Sequence, residues 1–305
     1  MIPGQKEGLK HLMTEKISAE KPSAPVSAFP FYTIVFFFTL ALTAVLTALR
    51  TLVLKSGYDV STGLLEDTAL SDGIWISIGM FAAALLLSAL IMKRKAVQPI
   101  RMPGTGMLGA FLSLLCGAAL LSVPVLSLLG KLDLFQGLTA TGSRMEILVW
   151  LFYLVLVPAA FSFLAGALER DEKSLPRQIL AFFPVLLCGL MLICLYFDHS
   201  TFMNDSLRVM TQLSVITLMA ALLYELRLLI GRPTACGYFI LTDFAILVSG
   251  VSSVPKLLLV LISGGAFRID MVYGIFETLL LLYLIVREIS VLRKRLTLED
   301  ASAKQ

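Results

Sequence analysis

FYTIVFFFTLALTAVLTAL, residues 31–49, runs nineteen residues without a charged side chain. A helix rises about 1.5 Å per residue, so the stretch measures about 28 Å, close to the depth of a bilayer's hydrocarbon core. Lipid offers the backbone no water to bond, and a helix satisfies every peptide group within the segment itself. The run therefore predicts a membrane-spanning helix over 30–50. Comparable apolar runs follow at 73–92, 106–129, 146–168, 178–197, 206–230, 236–263 and 270–288.

The eight runs hold 180 of the 305 residues. The chain is 58% hydrophobic and 15% charged, with mean hydropathy +0.88, against about 45–50% and 25% in soluble domains. The expected fold is an all-α polytopic membrane bundle with eight transmembrane helices spread over 30–288. An N-terminal tail, 1–29, precedes it and a basic tail, 289–305, follows. Neither is long enough to build a core of its own, which excludes a separate nucleotide-hydrolysing, kinase or nucleic-acid-binding module. The N-terminal tail mixes Lys with Glu and ends in a Pro/Ser/Ala stretch from Lys21 to Pro30. It lacks the plan of a cleaved secretory signal, so the first run reads as an uncleaved span.

The net charge of +4 is read here as a topology signal, because cytoplasmic loops collect Lys and Arg. With the amino terminus inside, the inner side carries Lys6, Lys10, Lys16, Lys21, Lys93, Arg94, Lys95, Arg101, Arg170, Lys173, Arg177, Arg227, Arg232, Arg287, Arg293, Lys294, Arg295 and Lys304. The outer side carries Arg50, Lys55, Lys131, Arg144, Arg208 and Arg268, and Lys256 lies within a span. Eighteen against six predicts that both termini are cytoplasmic.

Four spans contain proline: Pro124, Pro158, Pro184 and Pro255. In the seventh, Ser249, Gly250, Ser252, Ser253, Pro255 and Lys256 crowd one stretch, the composition of a helix that is bent or locally unwound, as at transporter substrate sites. The same composition also fits a kinked packing helix with its hydroxyls bonded to its own backbone. In the third span Gly106, Ala110, Ser113 and Gly117 share one face, where another backbone can approach. Gly104, Gly106 and Gly109 have dinucleotide-loop spacing, but the strand and βαβ unit that motif requires are missing. Lys93, Arg94, Lys95 and Arg101 beside that helix start could hold an anionic lipid headgroup, although topology alone accounts for them.

Tyr58-Asp-Val-Ser-Thr and Phe197-Asp-His-Ser-Thr, offset by 139 residues, each leave the membrane on the outer side. They fit a four-plus-four duplication, or simply the preference of Asp, Ser and Thr for helix starts and turns. The segments Tyr58 to Gly63, Phe197-Asp198 through Met203-Asn204, Gln212, and Glu225 to Pro233 resemble those of an uncharacterised family of bacterial multi-span membrane proteins. That resemblance implies about eight helices and the bacterial cytoplasmic membrane. It brings no activity and no catalytic residue.

A charge at the bilayer centre costs about 2.5–3.5 kcal/mol on insertion scales and marks a pathway, a site or a structural pair. The last three spans hold Gln212, Glu225, Arg227, Asp243, Lys256, Glu277 and Arg287, whereas the first five hold almost none away from their ends. Counting residues from the span ends puts Lys256 and Glu277 both about 10 Å below the outer boundary, with Gln212 at similar depth. These three are expected to form an outer cluster. Nearer the cytoplasm, Glu225, Arg227, Asp243 and Arg287 form a second tier in which Asp243 should meet Arg227 or Arg287.

Two functional readings follow. In the first, spans six to eight line a pathway for a small solute or lipid, and the two tiers act as ionic locks. In the second, the pairs only fix helix register in a sensor, scaffold or envelope-associated accessory protein. The outer loops of such a protein, Lys55 to Asp72 above all, would meet a protein partner.

An embedded enzyme has little to work with. The two histidines are His11 and His199, and neither H-E-x-x-H nor G-x-S-x-G occurs. Asp198, His199 and Asp205 fall within eight residues, but helix-capping carboxylates explain them more simply. Cys116, Cys188, Cys194 and Cys236 show no C-x-x-C spacing and read as packing residues. Asp243 and Lys256 lie about 20 Å apart along one helix, too far for a retinal-type lysine and its counter-ion. No cofactor, metal or nucleic acid is therefore expected.

Overall fold

The computed structural model describes residues 29–58, 65, 69–92, 106–130, 143–168, 175–197, 205–231, 235–263 and 269–303. Among these the secondary structure is helical, apart from turns and an isolated antiparallel bridge between Tyr58 and Leu65. The helices are α1 Phe29–Gly57, α2 Ala69–Met92, α3 Met107–Leu128, α4 Ser143–Leu168, α5 Leu175–Leu180, α6 Phe182–Phe197, α7 Ser206–Leu229, α8 Ala235–Ser263 and α9 Ile269–Ala303.

Seven helical segments are long and apolar enough to cross a membrane: α1, α2, α3, α4, α5 with α6, α7, and α8. The last helix, α9, falls outside that set by composition, carrying Glu277, Arg287 and Glu288 within its described side chains. It also outruns the 270–288 expectation, continuing into the basic segment to Ala303. The run at 178–197 is two helices that meet at Ala181. Pro184 lacks the N–H that would bond the Leu180 carbonyl, so the ladder breaks one turn before it.

The seventh span is not unwound. α8 is continuous from Ala235 to Ser263 with Pro255 inside it, and Ser253 Oγ donates to the Ser249 carbonyl at 2.8 Å. Its small residues serve approach. A Cβ on Gly250 would strike the Thr43 side chain of α1, and Thr43 is itself pinned by donating to the Thr39 carbonyl at 2.7 Å. Tyr32 stacks on Phe239 at 4.5 Å between ring centres. With the Thr43–Gly250 contact, this sets α1 and α8 parallel.

α8 is the central helix, packed against α1, α2, α7 and α9. The most apolar window of α8 is 61% buried, against 28% for α1 and 22% for α2. A second group, α3, α4 and α6, packs side by side and joins the first through α9 on α3 and α6 on α7. The larger apolar core joins this second group to the first and includes Leu156, Ala160, Leu187 and Cys188 with Leu218 of α7 and Leu280 of α9. A smaller core of Leu46, Val53, Ile74, Ile78, Leu247 and Val251 fills the space between α1, α2 and α8.

The expected α3 contact face is present but begins deeper than Gly106, which is exposed with open space around it. Ser113 Oγ donates to the Phe163 carbonyl at 2.7 Å. A Cβ on Gly117 would come within 3.0 Å of the Ala160 carbonyl of α4. Asp205 caps α7, accepting from the Leu207 N–H at 2.8 Å and from the Tyr58 hydroxyl, which accounts for one member of the outer-loop trio. Asp198 and His199, the basic group Lys93, Arg94, Lys95 and Arg101, the first 28 residues and half of the Lys55–Asp72 segment lie outside the described residues.

Candidate functional site: a buried polar seam

Where α7, α8 and α9 meet, polar side chains run down the contact. α8 and α9 cross on one antiparallel register: Ser252 reaches Glu277, Ser253 reaches Thr278, and Leu281 lies beside Gly250. α7 is antiparallel to α8 as well, through Thr211–Lys256 and Ser214–Ser249.

At the end of the seam where α8 closes and α9 begins, Lys256 Nζ donates to Thr211 Oγ1. Ser252 Oγ donates to Glu277 Oε2 at 3.2 Å, and Lys256 is the cation whose field Glu277 feels. Both are buried, Lys256 8% and Glu277 0% exposed, so the cluster is shut off from water and lipid. Glu277 Oε1 has no hydrogen-bond partner. Lys256 and Glu277 are thus electrostatic neighbours at one level of the seam. Gln212 is not the third member, however. It is half-buried, and Thr211, about 100° away on the same helix, takes that place.

Level with this cluster Thr278 Oγ1 donates to Ser253 Oγ at 2.9 Å, and one turn further along the seam Ser214 Oγ donates to Ser249 Oγ at 3.2 Å. Hydroxyls fill the middle of the seam, and no charge interrupts them.

The opposite end of the seam contains an ion pair. Arg287 Nε lies 3.0 Å from Glu225 Oε1, and the Tyr283 hydroxyl donates to the same oxygen at 2.7 Å. Arg287 and Tyr283 are one turn apart on α9, so both reach Glu225 of α7 from one face. A cavity of about 40 Å³ opens beside them, lined by Ser113, Ser162, Arg177, Glu225 and Tyr283 among others. That is room for a few waters. A second cavity, of about 420 Å³, lies away from the seam between α3 and α4 and is lined by Pro124, Trp150 and Tyr153.

Asp243 departs from expectation. It meets neither Arg227 nor Arg287: Arg287 is turned to Glu225, and Arg227 is exposed with its guanidinium over the Tyr224 ring at 5.1 Å. Asp243 instead has Glu288 of α9 as its electrostatic neighbour, at the matching position of the same antiparallel register. Glu288 is the residue that sequence reasoning missed. Eleven residues, three helical turns, separate it from Glu277, so both fall on the face that α9 turns to α8. That spacing was the available signal.

Four of the arginines counted for topology are buried as well: Arg50, Arg177, Arg208 and Arg287. Arg208 donates to the Leu195 and Tyr196 carbonyls at the end of α6, and Arg50 to the Ser206 carbonyl. They act as ties between helix ends. Among the described residues no group of three His, Cys, Asp or Glu side chains is arranged to hold a metal. No protein-family model, curated protein or solved structure matches the chain.

Proposed function

We propose that the chain is a permease-like membrane protein for a small solute or lipid, with α7, α8 and α9 lining the path. The observation that carries this reading is the polar seam itself. Helices that only need to pack in lipid associate through small apolar faces. Here Lys256, Glu277, Glu225 and Arg287 are buried in a column joined by four hydroxyl-bearing residues. The seam is closed at Lys256 and Glu277 and has a small cavity at Glu225, the form of an occluded state that admits water from the inner end.

On this reading α9 supplies an eighth crossing, and the Lys/Arg asymmetry supports both termini in the cytoplasm. The parallel register of α1 with α8 agrees, since first and seventh crossings run in one direction. The family resemblance supports a bacterial cytoplasmic membrane. The closure of the outer tier also favours a second reading, an accessory or sensor protein with a static polar core.

Cysteine accessibility along α8 separates the two. In a background with Cys116, Cys188, Cys194 and Cys236 replaced, single cysteines at Ser249, Ser252, Ser253 and Lys256 are treated with a membrane-impermeant thiol reagent from each side. Labelling at these positions is expected for a path, whereas uniform protection selects the accessory role.

A further inference from the structure

The Asp243–Glu288 contact has no counterpart elsewhere in the seam. Asp243 is 1% and Glu288 0% exposed, and none of their four carboxylate oxygens has a hydrogen-bond partner. Buried charges are normally paired or hydrogen-bonded, because an isolated carboxylate loses its hydration with nothing in return. Two such groups facing each other are costlier still, since like charges repel strongly at low dielectric.

Among the described residues, the surroundings supply no cation. From α1 the neighbour is Thr39, which adjoins Asp243 and donates to the Val35 carbonyl at 2.9 Å. Tyr32 of α1 is uncharged and stacked on Phe239. On α8 the nearby titratable group is Tyr238, whose neighbours include Glu225, Arg287, Glu288 and Tyr283. On α9 Arg287 precedes Glu288 but turns its Nε to Glu225 of α7. The group is therefore a set of oxygens without a positive charge.

We propose that Asp243 and Glu288, with Thr39, form a monovalent-cation site between α1, α8 and α9, occupied by Na⁺ or by a proton shared between the two carboxyls. Both occupants supply the same chemistry, one positive charge on carboxylate oxygen. Sodium takes oxygen ligands, which four carboxylate oxygens and a threonine hydroxyl provide. A shared proton turns one carboxylate into a hydrogen-bond donor to the other, the arrangement of like-charged carboxyl pairs generally. The site stands whether or not the seam is a solute path, because it is read by ion binding and needs no transport.

The test uses the full-length protein in detergent, comparing wild type with Asp243→Asn and Glu288→Gln. Thermal midpoints are recorded in Na⁺ against N-methylglucamine at constant ionic strength. Infrared spectra of the wild type and Glu288→Gln are recorded for the carbonyl stretch of a protonated carboxyl. A wild-type midpoint that rises by several degrees with Na⁺ and is flat in both variants identifies sodium. A protonated-carboxyl band present in wild type without Na⁺ and lost in Glu288→Gln identifies the shared proton. Glu277→Gln should keep whichever response the wild type shows. The proposal is overturned if wild type shows neither signal, or if the variants respond to Na⁺ as wild type does. Should the variants not accumulate, the wild type's own infrared difference on adding Na⁺ or lowering pH decides between the same results.

Discussion

Glu225 and Glu288 are both buried carboxylates near the same end of the bundle, yet their surroundings are opposite. Glu225 accepts from Arg287 and from Tyr283; Glu288 accepts from nothing and faces another acid. Arg287 and Glu288 are consecutive residues, about 100° apart on α9. One turns to α7 and finds its opposite charge, while the other turns to α8 and does not. Depth in the membrane is nearly the same for both. Pairing is therefore decided by which helix face a side chain leaves from, and proximity in sequence counts for little.

The largest expected effect breaks the satisfied member. Arg287→Met leaves Glu225 enclosed without its cation and is expected to cost about 3–5 kcal/mol, the usual penalty for removing one partner of a buried pair. The measurement is the yield of monodisperse protein and its thermal midpoint in detergent. Adding Glu225→Gln to that variant should recover most of the loss. A single substitution already at wild-type stability would show the pair to be open to water.

Next comes the wedge that brings α1 onto the Asp243 side. Gly250→Val drives a side chain into Thr43, whose rotamer is fixed by its bond to the Thr39 carbonyl. Overpacking of this kind costs about 1–3 kcal/mol. Pairing it with Thr43→Ala should restore the midpoint, and failure of that rescue would mean the two helices do not meet there. Tyr283→Phe removes one donor from Glu225 and is expected to cost about 1.5–3 kcal/mol, as for hydrogen bonds to charged groups. A midpoint unchanged from wild type would show that Arg287 alone satisfies Glu225.

The smallest effect carries the opposite sign. Glu288→Gln removes a charge that has no partner, so in the absence of Na⁺ the midpoint should hold or rise. A fall as large as that of Arg287→Met would mean that Glu288 has an ionic partner, and the contrast between the two glutamates would vanish.

Much of this arrangement is legible in the chain. The apolar runs mark the described helices to within a few residues, except where α1 continues seven residues past its run to Gly57, where Pro184 divides one and where α9 outruns its apolar part. The concentration of ionisable groups in the last three runs points to the seam, and counting depth brings Lys256 level with Glu277. Azimuth is harder. Thr211 replaces Gln212, Arg227 faces outward, and Asp243 takes Glu288 in place of an arginine, each a matter of rotation about a helix axis by about 100° per residue. The Ser/Gly-rich stretch of α8 left two readings open for a related reason, since small residues serve unwinding and close packing alike. Only the neighbour in contact, Thr43 here, tells which.

By itself the sequence determined that the chain is helical and apolar enough to enter a membrane, because hydrophobic length and backbone hydrogen bonding in lipid leave no other local solution. It also determined which helices carry charge, since composition is a property of the segment alone. Only the tertiary structure decided which charges are satisfied. An ion pair needs two side chains from different helices at the same depth and on facing sides, and a sequence of separate spans holds the depth but not the rotation.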